Sequence, residues 1–375
     1  MIGAGIVGLA AAHSLLLAGN SVRIIEQSEP GTGQSTRTGG GIRLAHGSEI
    51  NVRLAQLSLP TWLSFEQQFG IDPYYQETGH LFLSSKDGRG LATQADLLKS
   101  LGLHCDVLSN EEISQQWPEL SSMKFSIGNY CKTGGYLDQH RVVKGFAQTV
   151  RAGGAHLALR TRVEGILHDG DRITGVHTSE GSFTSETVVN AAGAHAGVVS
   201  ALAGLEIPFV SRRHELLILE QVARVPEGIP WLIDTDRQVH MRPDGSGRAL
   251  LGGFLGYDDP DDPDGYDPAL SDRWSTAVRE QASQSFRLSR PDSPVRGGWA
   301  GLYPGTIDYL PVLEQSMPGL VTAAGFSGTG LMHAPAVGQI VADLICGRSI
   351  DGIDISCLQS SRFDNQPTVA EFTGF

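Results

Sequence analysis

The sequence predicts an α/β protein in which a Rossmann-like dinucleotide-binding domain is joined to a second, strand-rich region. Residues 1–26 provide the first observation: a strand, a glycine turn, an apolar helix and a second strand follow one another and end in an acid. The second observation is a stretch rich in short strands at 209–254. A further strand, glycine turn and helix at 320–345 complete the pattern.

The first turn contains Gly3, Gly5 and Gly8 in the pattern G-x-G-x-x-G. The first glycine allows a tight turn, the second lets a pyrophosphate approach the backbone, and the third lets helix and strand pack closely. Glu26, 18 residues after Gly8, is placed to bind a ribose 2′-OH, which favours FAD or NAD over NADP. Because only two residues precede Gly3, we expect a short first strand or a translation start upstream of Met1.

The composition is that of a globular protein of one very large or two ordinary domains, with 375 residues, of which 40% are hydrophobic and 18% charged. Its net charge of −13 disfavours nucleic acid and anionic membranes as partners, because both require clustered basic surface. The apolar run at 2–19 lacks the positive start of a signal peptide, and no other stretch is long enough to span a membrane. We therefore expect a cytoplasmic protein.

Four cysteines, Cys105, Cys131, Cys346 and Cys357, show no metal-binding spacing. Such a small number in a chain of this size predicts reduced, mostly buried thiols. The histidines are scattered as well, so no metal site is expected.

The first half of the chain alternates helices with short extended segments. A polar, glycine-rich loop at 28–41 follows the second strand and is expected to cover a cofactor. We predict, in order, a helix at 49–69 interrupted or kinked at Pro60, a strand at 78–84, a helix at 91–101, a short helical region at 107–120 and a helix at 139–152.

The second half is richer in strands. A three-stranded meander is predicted over 157–189, with extended stretches at 157–163, 166–167, 172–178 and 187–189. Small residues at 190–193 would let a cofactor lie against the strand end. The acidic stretch 258–267 is read as a solvated turn rather than a calcium site, and a helix is predicted at 271–286.

These motifs together resemble the FAD-dependent amino-acid and amine oxidoreductases, the superfamily of D-amino acid oxidase, glycine oxidase and sarcosine oxidase. The segment GFSGTGLMHAPAVG at 325–338 looks most like sarcosine oxidase and its beta-subunit relatives. The resemblance implies a GR2-type flavoprotein. Its FAD-binding domain would comprise 1–77, 135–206 and 296–375, and its substrate domain, built on an antiparallel sheet, would comprise 78–134 and 207–295.

By resemblance, the cofactor-binding residues lie in four places. The first turn and Glu26 would hold adenosine and pyrophosphate, with Val163 beside adenine and Gly193 on the ribose side. Ser35, Arg37 and Gly41 belong to the loop over the diphosphate and flavin. The turn containing Gly328, Gly330, Leu331 and Met332 would aim a helix N-terminus at the flavin pyrimidine, where its dipole stabilises an anionic reduced ring.

The resemblance also suggests substrate-binding and catalytic residues. Arg43 falls where the family has an arginine that clamps the substrate carboxylate, a task suited to its bidentate fork; the alternative is a surface arginine. Tyr303 falls on the family's active-site tyrosine and His240 on a substrate-side aromatic position, although a strand histidine is ordinarily a packed side chain. His46, His240 and His333 are candidates to help deprotonate an amine.

Four positions depart from the family pattern. Met332 replaces a carboxylate-binding lysine, with His333 beside it, and Leu250 or Leu251 replaces a lysine linked to oxygen reactivity. Gly301 and Leu57 lie near positions at which relatives link flavin through cysteine or histidine. The resemblance therefore implies noncovalent FAD and leaves open whether oxygen or another carrier accepts the electrons.

The expected reaction is dehydrogenation of the Cα–N bond of an amino acid or N-substituted amino acid to an imine, with hydride transfer to flavin N5. One alternative keeps the fold and oxidises a 2-hydroxy acid or another alcohol, which needs a base. Another is an FAD-binding assembly factor without turnover. The sequence leaves the substrate, the electron acceptor and the formation of a homo-oligomer open.

Overall fold

The computed structural model describes residues 1–86, 88–123, 125–220, 225–255, 260–286 and 290–364. The helices are α1 Ile6–Leu17, α2 Glu49–Leu63, α3 Phe65–Phe69, α4 Arg89–Ser100, α5 Asn110–Gln116, α6 Gln139–Ala152, α7 Ala196–Leu202, α8 Asp272–Phe286 and α9 Gly330–Cys346. No helix in these ranges is long and apolar enough to cross a bilayer.

The strands fall into one large sheet and several small ones. They are β1 Arg23–Ile25, β2 Gly41–Arg43, β3 His80–Ser84, β4 Asp106–Ser109, β5 Ile127–Cys131, β6 Gly134–Tyr136, β7 His156–Ala158, β8 Val163–Asp169, β9 Arg172–Thr178, β10 Gly181–Thr184, β11 Val188–Asn190, β12 Val210–Leu219, β13 Trp231–Asp234, β14 Val239–Pro243, β15 Ala249–Gly253, β16 Val295–Gly305, β17 Val312–Met317 and β18 Leu320–Ala324.

The predicted nucleotide-binding unit is present, and its first strand is short. Ile2 forms parallel bridges to Ile25 of β1 and to Asn190 of β11. β1 pairs in parallel with β7, and β11 pairs in parallel with β18. The apolar helices α1 and α9 cross closely, because Gly338 of α9 has no side chain: a Cβ there would lie 2.6 Å from the Ala10 carbonyl oxygen.

The second sheet has eight strands in the order β16-β12-β15-β14-β13-β3-β5-β4. Its neighbours pair antiparallel except β13 and β3, which are parallel. Side chains alternate between its faces, as pleated strands require: Val239 and Met241 of β14 enter an apolar core that includes Trp274 and Phe286 of α8. His240, between them, therefore lies on the opposite face.

Helix α6 matches its predicted range of 139–152, and β18 matches the strand expected at 320–324. The meander prediction was wrong in its first strand, because Arg160 has a left-handed backbone (φ 53°) that ends β7. The meander consists instead of β8, β9 and β10. The helical prediction at 107–120 was wrong at its start, where 107–109 belong to β4. Of the acidic stretch 258–267, residues 258 and 259 lie outside the described residues.

Two of the four cysteines are not reduced thiols, which corrects the prediction. Cys105 and Cys131 form a disulfide. β4 and β5 pair antiparallel with Asp106 opposite Tyr130, so the next residue outward on each strand is a cysteine. Cys346 and Cys357 are free.

Candidate active site

The glycine turn before α1 is closed by its own backbone. Gly3 has φ +102°, and a Cβ there would lie 2.5 Å from the Ala191 carbonyl oxygen. A Cβ on Gly8 would lie 2.1 Å from the Gly3 carbonyl oxygen, so the third glycine is required for the helix to pack on the turn. Glu26 accepts backbone hydrogen bonds from Ala4 at 2.8 Å and Ser28 at 2.9 Å.

The glycine-rich loop at 28–41 is attached to α1 on one side and to β16 on the other. The Ile6 N–H donates to Ser35 Oγ at 2.9 Å, at the N-terminus of α1. Arg37 Nη1 donates to the Ala300 carbonyl oxygen at 3.1 Å, and the Trp299 indole N–H donates to the Arg37 carbonyl oxygen at 2.7 Å. These bonds fix the loop between the N-terminus of α1 and strand β16 of the large sheet.

A cavity of about 880 Å³, its open mouth included, lies beneath this loop. It extends from the N-terminus of α1 to the N-terminus of α9 and is roofed by the large sheet. Ten predicted residues line it: Gly5, Ser35, Arg37, Gly193, His240, Gly301, Tyr303, Gly328, Gly330 and Leu331.

A second, smaller cavity lies on the other side of the glycine turn. Gly3, Glu26 and Val163 line it, together with Ala192 and His195. The three predicted residues are therefore brought together although they are far apart in the sequence.

The remaining predicted residues lie behind these cavities. Gly8 is a packing position under the turn, and Gly41 lies against the ring of Trp231. The Met332 carbonyl oxygen accepts the indole N–H of Trp62 at 3.0 Å, and the Met332 side chain is buried. His46 and His333 are fully buried, with ring centroids 5.1 Å apart.

Four rings form one wall of the main cavity, which we call the aromatic wall: His214, His240, Phe254 and Tyr303. The centroid of His214 lies 4.3 Å from that of Tyr303 and 4.6 Å from that of Phe254. Gly328 (φ +89°) makes room for this wall, because a Cβ there would lie 2.4 Å from Tyr303 Cε2. The turn before α9 is thereby pressed against the wall.

The wall is uncharged at neutral pH. Burial, assisted by nearby arginine charges, lowers the pKa of His214 and of His240 to about 3. Burial raises the pKa of Tyr303, with the Arg43 charge opposing it. Burial likewise lowers the pKa of His80 to about 3 and that of His46 well below its usual value.

Arg43 lies on β2, opposite Gly134 of β6, and only 5% of it is exposed. Its positive charge lowers the pKa of His46, His80, His240 and Tyr303, and Arg43 is not among the described residues that line the main cavity. Arg43 and Arg242, which is also buried, thus place positive charge behind a wall of neutral rings.

Sequence reasoning missed His214 and Phe254, which complete the wall, and Trp231, which donates an indole hydrogen bond to His240 Nδ1 at 3.2 Å. His214 and Trp231 lie in strands of the large sheet and Phe254 directly follows β15, so they become neighbours only through strand order. Alternation along β12 could have indicated that His214 shares a face with Leu216.

The site has the parts that a flavin dinucleotide requires. Glycine-rich turns stand at the N-termini of α1 and α9, where helix ends leave N–H groups and a positive dipole for anionic groups. The main cavity joins these two ends, and the smaller one is lined by Glu26, the acid that follows β1. The fold and site therefore define a flavin-dependent oxidoreductase.

The chain belongs to the DAO family of FAD dependent oxidoreductases, since the family's model matches residues 1–344. A glycine oxidase of Pseudomonas aeruginosa is 26% identical over 93% of this chain and 94% of its own length. A 4-methylaminobutanoate oxidase (formaldehyde-forming) of Paenarthrobacter nicotinovorans is 25% identical over 97% of this chain, which spans only 45% of that enzyme. Among solved structures, an L-proline dehydrogenase from P. horikoshii is 28% identical, with a TM-score of 0.87 over 97% of this chain and 96% of its own.

Proposed function

We propose that the protein dehydrogenates the Cα–N bond of an amino acid or an N-substituted amino acid. The observation that carries this proposal is the buried Arg43 beside the uncharged aromatic wall. A guanidinium binds a carboxylate bidentately, and the neutral rings offer no competing anion. A substrate carboxylate at Arg43 would leave the remainder of the amino acid against the wall.

The same charges select the protonation state of the substrate. A protonated amine would place a second cation near Arg43 among neutral, partly desolvated groups, which raises its free energy. The amine is therefore bound neutral, with its lone pair available, and the chain's task is orientation. Alignment of this kind is worth up to roughly 7–11 kcal/mol of the barrier.

The cofactor residues keep the roles that the sequence suggested. Gly3, Glu26 and Val163 would hold adenosine, Ser35 and Arg37 the diphosphate, and the turn before α9 the flavin ring. When bound, FAD supplies a two-electron hydride acceptor. We propose that it is noncovalent, because Gly301 offers no linking atom and Leu57 lies on the exposed side of α2. Residues 1–77, 135–206 and 296–375 would form its domain, and 78–134 with 207–295 the substrate domain.

Three relatives have names that describe the oxidation of amines. Their named substrates are glycine, 4-methylaminobutanoate and L-proline, which together include primary, N-methylated and cyclic amines. The substrate of this chain and its electron acceptor, oxygen or another carrier, are separate questions. Leu250 and Leu251, which by resemblance stand near the position of a family lysine linked to oxygen reactivity, are buried and apolar.

Oxidation of a 2-hydroxy acid is the alternative, and His240 argues against it. An alcohol needs a base as its hydride leaves. The indole N–H of Trp231 can only donate, so His240 Nδ1 accepts it and the neutral ring carries its proton at Nε2. His240 can then donate a hydrogen bond but has no free lone pair with which to take a proton.

An anaerobic titration of the FAD-loaded protein tests the proposal. Amino acids, N-methyl amino acids and 2-hydroxy acids are added in turn while the visible absorbance of oxidised flavin is followed. Bleaching by an amine is expected, and readmission of air then tests oxygen as acceptor. Bleaching only by hydroxy acids would replace the proposal with the alternative, and no bleaching by any compound would favour FAD binding without turnover.

A further inference from the structure

Trp231 connects two parts of the site without lining the main cavity. It begins β13 and is buried, with 8% exposure. One edge of its indole lies on the glycine-rich loop: a Cβ on Gly39 would be 2.8 Å from Trp231 Cη2, and one on Gly41 would be 3.0 Å from Cζ3. The backbone at Gly39 and Gly41 is not left-handed, so the indole itself excludes larger residues there.

The pyrrole side of the same indole faces His240. Its N–H donates to His240 Nδ1 at 3.2 Å, and this bond fixes the proton of the neutral ring at Nε2. His240 has space to lie flat only because Gly252 opposes it: a Cβ on Gly252 would lie 2.4 Å from His240 Nε2. One side chain therefore sets both the loop position and the histidine tautomer.

Arg242 strengthens this arrangement from the next strand position of the same face. Its Nε donates to the Gly39 carbonyl oxygen at 2.9 Å, and its guanidinium carbon lies 5.5 Å from the centroid of Trp231. Gly39 is thus held in two ways. Arg242 binds its carbonyl oxygen, and the indole of Trp231 occupies the space that a side chain on Gly39 would need.

We propose that Trp231 is a positioning residue that holds the glycine-rich loop and His240 in one register, so that Arg43 and His240 meet the same substrate. Arg43 follows Gly41 by two residues on β2, and a shift of the loop moves its guanidinium. This inference rests on the proposed function, because it assumes that Arg43 binds the substrate carboxylate.

A double-mutant cycle tests the contact through its effect on ligand binding. The variants are Trp231→Phe, which removes the indole N–H and the atoms nearest Gly39, Gly39→Ala, which pushes against the indole, and the two combined. Binding of acetate, a carboxylate without an amine, is measured by calorimetry on FAD-loaded protein. Gly33→Ala is the matched control, since Gly33 lies in the same loop with open space around its Cβ position.

We expect each single variant to weaken acetate binding about five- to tenfold at unchanged FAD content, and the double variant to bind more tightly than Gly39→Ala. With an oxidisable amine the same variants should raise KM. Gly33→Ala should match the wild type.

The inference is overturned if the two substitutions act independently, so that the loss of acetate affinity in the double variant equals the product of the two single losses. If neither the wild type nor Arg43→Ala binds acetate, Arg43 is not a carboxylate site. The proposed function and the role of Trp231 are then both wrong. If acetate binds normally in all variants, only the role of Trp231 falls.

Discussion

The carboxylate of Glu26 accepts the backbone N–H of Ala4 across the glycine turn, at 2.8 Å, while its other oxygen accepts the N–H of Ser28. The acid that ends β1 is thereby fixed relative to the turn at the start of the chain. Each carboxylate oxygen retains a second lone pair, so the group can still accept hydrogen bonds from a ribose in the neighbouring cavity.

Glu26→Gln should weaken FAD binding about tenfold or more. The amide supplies only one acceptor oxygen and turns its N–H₂ toward a backbone donor. An unmet group costs about 1–3 kcal/mol when fully buried, and Glu26 is half-buried. The dissociation constant of FAD, measured by fluorescence quenching on reconstitution of the apoprotein, checks this. Glu49→Gln, an exposed acid on α2, serves as control. Equal affinity in the two variants would separate Glu26 from cofactor binding.

The parts of the fold that the sequence predicted correctly are those with local signals. α6 begins where Asp138 caps it and ends at Gly153, and both residues are visible in the sequence. The meander was misplaced because a left-handed Arg160 ends β7 early, and nothing in the residue type indicates that conformation. The Cys105–Cys131 disulfide depends on the register of β4 and β5, which requires the assembled sheet.

The candidate site divides in the same way. Glycines and Glu26 follow from a motif with fixed spacing, and Arg43, His240 and Tyr303 from resemblance. His214, Phe254 and Trp231 were missed because they come from strands β12 and β13 and the end of β15, whose neighbours are set by the order of the eight-stranded sheet. Long-range strand order is what a single sequence does not specify.

Arg43→Ala should raise KM for a carboxylate substrate by an amount corresponding to about 2–5 kcal/mol, since a desolvated charge pair is lost. Arg43→Lys should recover only part of this, because an ammonium lacks the bidentate fork. Steady-state kinetics with the amine found by titration checks both. The control is Arg53→Ala, which removes a half-exposed arginine paired with Glu49. An unchanged KM in Arg43→Ala would remove this residue from the site.

Acid should destabilise the protein through its buried histidines. His80, His214 and His240 have pKa values lowered to about 3, whereas the ordinary value is 6.5. Between these limits the unfolded chain binds more protons than the folded one, so the free energy of unfolding falls as the pH drops from about 6.5 toward 3. Melting temperatures of the FAD-loaded protein from pH 8 to 5 should decline. The decline in melting temperature should be shallower in His80→Gln than in the wild type, and the exposed His168→Gln should decline like the wild type. Equal slopes in the wild type and both variants would show that His80 does not contribute to the acid sensitivity.

Reduction of the Cys105–Cys131 disulfide should lower the stability of the large sheet's β4–β5 edge. The bond joins residues 26 apart, and closing a loop of that size stabilises a fold by about 3.5 kcal/mol in the chain-entropy account. Melting temperatures with and without a phosphine reductant, and of the Cys105→Ser and Cys131→Ser double variant, measure the effect. Cys346→Ser is the control, since that thiol is free. If the reductant still lowers the melting temperature of the double variant, the effect does not come from the Cys105–Cys131 disulfide.

Loss of the Asp264 carboxylate should speed the release of FAD by a few fold. Its Oδ1 contacts His195 Nε2 at 2.9 Å and its Oδ2 accepts from Arg162 Nη2 at 3.0 Å, and both partners border the cavity proposed for adenosine. Asp264 belongs to the loop before α8, so these contacts tie that loop across the cavity. Because its side chain is half exposed, each contact is worth only about 0.2–1 kcal/mol and is screened by salt.

The rate at which flavin fluorescence appears on dilution should therefore rise in Asp264→Asn at low ionic strength, and the difference from the wild type should shrink at high salt. Asp171→Asn, an exposed acid in the turn between β8 and β9, should release FAD at the wild-type rate. If Asp264→Asn does so too at low salt, the loop is held over the cavity by its other contacts, and the two charge pairs play no part in retaining the cofactor.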